Sequence, residues 1–136
     1  MPPERFPPDD PREWLSRVRS SLLIAREGSR VEGVYLEDLC FEAQQAAEKA
    51  LKALLLHRGI RFPHVHDLAR LVSLLEQHGE TVPESVREAE ELTKYAVAAR
   101  YPGLTEPASR AEYETAVRAA ETVVEWVGAN LRERDS

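Results

Sequence analysis

The stretch FEAQQAAEKALKALLLHRG, residues 41–59, constrains this chain more than any other. Alanine and leucine dominate it, and both favour helix strongly. The helix is expected to begin near Leu36 and to stop at Gly59. At about 100° per residue, Leu36, Leu39, Cys40, Ala43, Ala47, Ala50, Leu51 and Leu54 fall on one stripe, the expected core face. A second stripe holds Phe41, Gln44, Gln45, Glu48, Lys52 and Leu55. Glutamines donate and accept, so they suit a face covered by another helix or by a ligand. That stripe is read as a protein interface or a cleft wall, and the alternative is a solvated face with stray apolar residues. Glu42 and Lys49, on the third side, read as solvated.

The rest of the chain follows the same helical logic. Asp10 before Pro11 is a helix start, because a carboxylate caps free amides and proline suits the first turn. A first helix is expected from Pro11 to Glu27, closed by Gly28. A short third helix is expected over DLARLVSLLEQH, with His66 or Asp67 as its cap, and a fourth from the Thr81–Glu84 capping box to Tyr101. Ser109 and Glu112 form a further capping box before a helix reaching about Arg132. No strand pattern is found. The expected fold is all-α, an antiparallel up-and-down bundle of about five helices. It spans residues 10–132, between a flexible proline-rich segment at 1–9 and a polar tail at 133–136.

Composition narrows the function. The net charge of −6 argues against a broad phosphate-binding surface, which needs clustered Lys and Arg. The single cysteine, Cys40, excludes an intramolecular disulfide and sits on the core stripe, where it is expected to be inert. No apolar run is long enough for a membrane span, and the first residues lack an apolar signal core, so a cytoplasmic location is expected. Trp14 and Trp126 read as core anchors.

With its glutamine-bearing helix, the later His66-Asp67-Leu68 and the Ala99-Arg100-Tyr101-Pro102 break, the chain resembles the HEPN domain family. The resemblance covers roughly residues 11–131. It implies a helical bundle, usually a homodimer or higher homo-oligomer, similar to the helical domain of kanamycin-type nucleotidyltransferases. It also implies partnership with a minimal nucleotidyltransferase, in toxin–antitoxin or related systems, and a nucleotide or RNA as possible ligand. The expected ligand- or partner-binding residues are Phe41, Gln45, Glu48, Lys52, His66, Arg100 and Tyr101, with Glu48 and Arg100 a conceivable ion pair across a cleft. For Arg100 and Tyr101 the alternative is structural: an arginine at a helix end also satisfies terminal carbonyls.

Some members of that family are metal-independent ribonucleases, whose site is an arginine, four to six variable residues and then a histidine. No histidine follows Arg100: the four are His57, His64, His66 and His78. Arg58 with His64, and Arg61 with His66, match the bare spacing, but with 15 arginines and four histidines about one match arises by chance. Arg58 and His64 are therefore weak catalytic candidates, on the chemistry of an imidazole base and a guanidinium beside a phosphorane. The main reading is a binding module. The alternatives are a non-standard ribonuclease and a ligand-free structural adaptor. Neither a metal nor a cofactor is expected: His64, His66 and Asp67 lack the spacing of a metal-binding motif.

Overall fold

In the computed structural model, residues 2–99 and 106–135 are described, and among them there are helices and turns but no strand. Helix α1 runs Pro11–Glu27 and α2 Leu36–His57; α3 is Leu68–Gln77, α4 Glu84–Arg87, α5 Thr93–Ala98 and α6 Arg110–Asp135. The fold is an all-α bundle built on α2. Its neighbours are α1 on one side and α6 on another, with α3 and α5 packed against it as well.

The helix ends follow local chemistry. Asp10 accepts a hydrogen bond from the Arg12 amide and opens α1. Asp67 does the same for Ala69 at the start of α3. Ser109 and Glu112 exchange side-chain and backbone hydrogen bonds at 3.1 Å each, a complete capping box before α6. The capping box expected at Thr81–Glu84 is not formed. Pro83 occupies the cap position of α4 and makes no side-chain hydrogen bond there. Nor is the fourth helix continuous: a 3₁₀ turn at Glu88–Leu92 separates α4 from α5. Thr93, just past that turn, accepts a hydrogen bond from the Leu68 amide through its hydroxyl, which ties the break to the start of α3.

The core is mainly leucine, alanine and valine. Leu39, Leu51, Leu54 and Leu55 of α2 are sealed from solvent, each contributing about 1.5–3 kcal/mol by burial. Alanines at 43, 46, 47, 50 and 53 are fully buried, so the neighbouring helices approach α2 closely on several sides. Gly28 makes the closest approach possible. A Cβ there would collide with the Leu39 side chain. Tyr113 of α6 donates its hydroxyl to the Ala25 carbonyl at 2.6 Å, pinning α6 to the end of α1.

Candidate functional site

The second stripe of α2 is an internal structure as well as a wall. Gln44, Glu48 and Lys52 succeed one another at four-residue intervals, so they stack on one helix face. All three are buried, at 0%, 3% and 5% exposure. Lys52 Nζ donates to Glu48 Oε2 at 3.0 Å, and Gln44 Nε2 donates to Glu48 Oε1 at 2.9 Å. Gln44 Nε2 also lies 3.2 Å from the His66 carbonyl oxygen, and Gln45 donates to Gln44 Oε1 at 2.7 Å. The carboxylate is thus held by a chain of donors, and none of these three side chains is left orphaned in the interior.

His66 completes the arrangement from the loop before α3. Its Nδ1 stands 3.0 and 3.2 Å from the two Glu48 oxygens. A carboxylate only accepts, so Nδ1 carries the donated proton and Nε2 is the nitrogen left for other partners. Burial alone would raise the Glu48 carboxyl, but the Gln44 and Lys52 hydrogen bonds, the Lys52 charge and the His66 contact together hold it below its ordinary value. Glu48 is therefore the ionised anchor of the cluster.

Two cavities lie at this cluster's edges. One, of about 260 Å³, is lined by Phe41, Gln45, His66, Ala96 and Ala99. Here the α2 stripe meets α5 and the histidine loop. On the opposite flank Lys52 Nζ lies 5.7 Å from the Trp14 ring centroid and 5.6 Å from that of Phe62. Those rings meet edge to face at 6.1 Å and help wall a second, larger cavity.

Among the described residues, Phe41, Gln45, Glu48, Lys52 and His66 belong to one constellation. Only Phe41, Gln45 and His66 reach the smaller cavity; Glu48 and Lys52 lie behind it and position His66. Arg100 and Tyr101 lie outside the described residues, as does the pair conceived between Glu48 and Arg100. Arg58 and His64 face different neighbours. The Arg58 side chain is buried, with Nε 2.6 Å from Glu80 Oε1 and Nη2 3.4 Å from the Asn130 carbonyl oxygen, whereas His64 lies at the rim of the larger cavity. Lys49 and Glu42 are half-buried rather than solvated, and desolvation lowers the Lys49 ammonium pKa. Among the described residues no cluster of three His, Cys, Asp or Glu side chains is placed to hold a metal ion, and no helix is long and apolar enough to cross a membrane.

A HEPN domain matches residues 11–132, nearly the whole chain. The chain belongs to the HEPN domain family. Among solved structures, this HEPN chain is similar to TT1696 from Thermus thermophilus, with 36% identity and a TM-score of 0.72 over 88% of this chain and 96% of that one. It is also similar to ST0689, an archaeal HEPN homologue, with 25% identity and a TM-score of 0.69 over 89% of this chain and 97% of that one. No curated protein matches it.

Two parts of the cluster in this HEPN chain escape the sequence reading. Gln44 falls on the stripe but outside the expected site, although it bridges Glu48 and the His66 backbone. The 44–48–52 spacing is the available signal. Trp14 reads as a core anchor; it is half-buried and, with Phe62, packs on the Lys52 ammonium. No local pattern joins positions 14, 52 and 62.

Proposed function

We propose that the protein is a HEPN-type binding module that partners a minimal nucleotidyltransferase and takes a nucleotide or an RNA end into the cleft bounded by Phe41, Gln45 and His66. The observation that carries this reading is the ordered His66 imidazole. Glu48 fixes its Nδ1, and its Nε2 remains available beside Gln45 and the Phe41 ring. An aromatic face, an amide and an oriented imidazole suit a base and a sugar hydroxyl. Ala99, the last described residue before Arg100 and Tyr101, also lines this cleft. In this reading Arg100 and Tyr101, outside the described residues, also serve binding, with Arg100 a cation suited to phosphate.

Binding is favoured over ribonuclease chemistry by the state of Arg58. A guanidinium buried against Glu80 serves the fold and is shielded from a phosphate. The protein acts as a homodimer or higher homo-oligomer in this account. Exposed Leu23, Ile24, Val31, Val34 and Tyr35, gathered around the end of α1 and the following connector, support self-association.

Calorimetry with ATP and with a short single-stranded RNA tests the cleft. Saturable binding to one of them is expected, weakened about tenfold or more in Gln45→Ala and His66→Ala, the scale of one lost polar contact of about 1.4 kcal/mol. Silence toward both ligands would leave a structural adaptor as the better description. RNA cleavage abolished by Arg58→Ala and His64→Ala would replace binding with catalysis.

A further inference from the structure

A second cavity is larger than the one with His66. It measures about 770 Å³ and lies where the start of α1, the end of α2 and the following loop meet. Its walls are Trp14, Leu56, Ile60 and Phe62, closed on one side by Pro8. Asp9, Arg61 and His64 supply the charged and polar side chains of its lining. That size and mixture, apolar walls with a few convergent polar groups, is the ordinary make-up of a small-molecule site.

The aromatic walls are held in place from behind. The Trp14 indole N–H donates to the Pro8 carbonyl at 2.8 Å, fixing both the ring and the segment that borders the cavity. The Lys52 ammonium, neutralised by Glu48, packs near both ring centroids. Pre-ordered rings lose little entropy when a flat ligand packs on them. At the rim, Arg61 and His64 are exposed and make no hydrogen bond or ion pair within the described residues. This contrasts with Arg58 three residues earlier, whose guanidinium is committed to Glu80. Arg61 is the uncommitted cation at the mouth.

We propose that this cavity is a second ligand site, distinct from the His66 cleft, for a flat aromatic anion: a carboxylate or sulfonate on a ring system without a sugar. The ring packs against Trp14, Phe62, Leu56 and Ile60, and Arg61 takes the anionic group in charge-assisted hydrogen bonds, with His64 beside it. Among the wall residues Trp14, Leu56, Ile60 and Phe62 the one polar side-chain group, the Trp14 N–H, is taken by Pro8, so this part of the cavity suits a ring better than ribose hydroxyls. Asp9 at the same rim repels an anion, so Arg61 decides the sign of the selectivity.

A matched pair of probes tests this. 8-Anilinonaphthalene-1-sulfonate and N-phenyl-1-naphthylamine share one ring system and differ by the sulfonate. Saturable one-to-one fluorescence enhancement is expected with the sulfonate, at an affinity about tenfold above that of the neutral amine, the scale of one charge-assisted contact. Arg61→Gln should erase that difference while leaving binding of the neutral amine and the helical circular dichroism unchanged. On saturation the Trp14 indole N–H resonance should shift and that of Trp126 should not. Equal affinity for the two probes, a selectivity that survives Arg61→Gln, or no movement of the Trp14 resonance would overturn the proposal. So would displacement of the sulfonate by AMP as readily as by 1-naphthoate. Gln45→Ala, which alters the His66 cleft, should not affect either probe, so this test succeeds or fails apart from the nucleotide reading.

Discussion

Lys52 and Glu48 form an ion pair at 3.0 Å with both side chains almost fully withdrawn from solvent, at 6% and 4% exposure. A buried pair gives little net stability, because desolvation offsets its attraction, but removing one partner strands the other. Lys52→Met should therefore cost about 3 kcal/mol or more, measured by urea unfolding. The double variant Glu48→Gln/Lys52→Met should recover much of that loss. Equal losses in single and double variants would show that packing, and not charge, is what Lys52 contributes.

The same cluster sets a pH dependence. The folded Glu48 carboxyl is held below its ordinary value of 4.5, so the native state binds this proton less readily than the unfolded chain does. Its stabilisation is complete above that ordinary value and is lost as pH falls through the lowered one. Asp10, Glu13 and Glu112 are shifted the same way at the surface, so the comparison must be internal. Between about pH 6 and about pH 3, the wild type should lose more stability than the Glu48→Gln/Lys52→Met variant. Parallel curves from urea midpoints would contradict this.

Cys40 is fully buried, and burial raises its thiol pKa; the neighbouring Tyr95 hydroxyl is pushed up to about 12, chiefly by burial. A neutral, enclosed thiol is a poor nucleophile. A thiol-reactive chromogen should label the native protein orders of magnitude more slowly than the urea-unfolded chain. Rapid labelling under native conditions would mean that α2 opens locally.

Gly28 faces Leu39 so closely that any Cβ must displace the leucine side chain, which is itself buried. Gly28→Ala should lower stability by about 1–3 kcal/mol, as overpacking does. Leu39→Val in the same chain should restore part of it. Thermal unfolding of the wild type and the two variants decides whether this contact sets the spacing between α1 and α2.

Much of this fold is legible in the sequence because its signals are local. Asp10-Pro11 and Gly28 mark α1, and the Ser109–Glu112 box marks the start of α6; each needs only neighbours along the chain. The fourth helix is misread because its apolar residues fit a helical period, while its course is set by a distant contact. Thr93 reaches the Leu68 amide, and the five-residue 3₁₀ turn before it is too short for periodicity to distinguish from α-helix. The site is half legible for the same reason. The stripe from Phe41 to Leu55 stands out, but a helix pattern does not say what covers it. Trp14 and Phe62, from two other segments, sequester Lys52, and the loop carrying His66 brings its imidazole onto Glu48. Polar residues at 44, 48 and 52 look like the lining of an opening and instead form its buried support.

The most direct measurement is the nuclear magnetic resonance of the His66 ring during titration with ATP and with short RNA. If the cleft bounded by Phe41, Gln45 and His66 is the binding site, the His66 ring signals should move saturably with one of these ligands. The His78 ring, hydrogen-bonded to the Leu74 carbonyl at the end of α3, should stay fixed. Signals of His66 that remain unmoved at millimolar ligand would contradict the account.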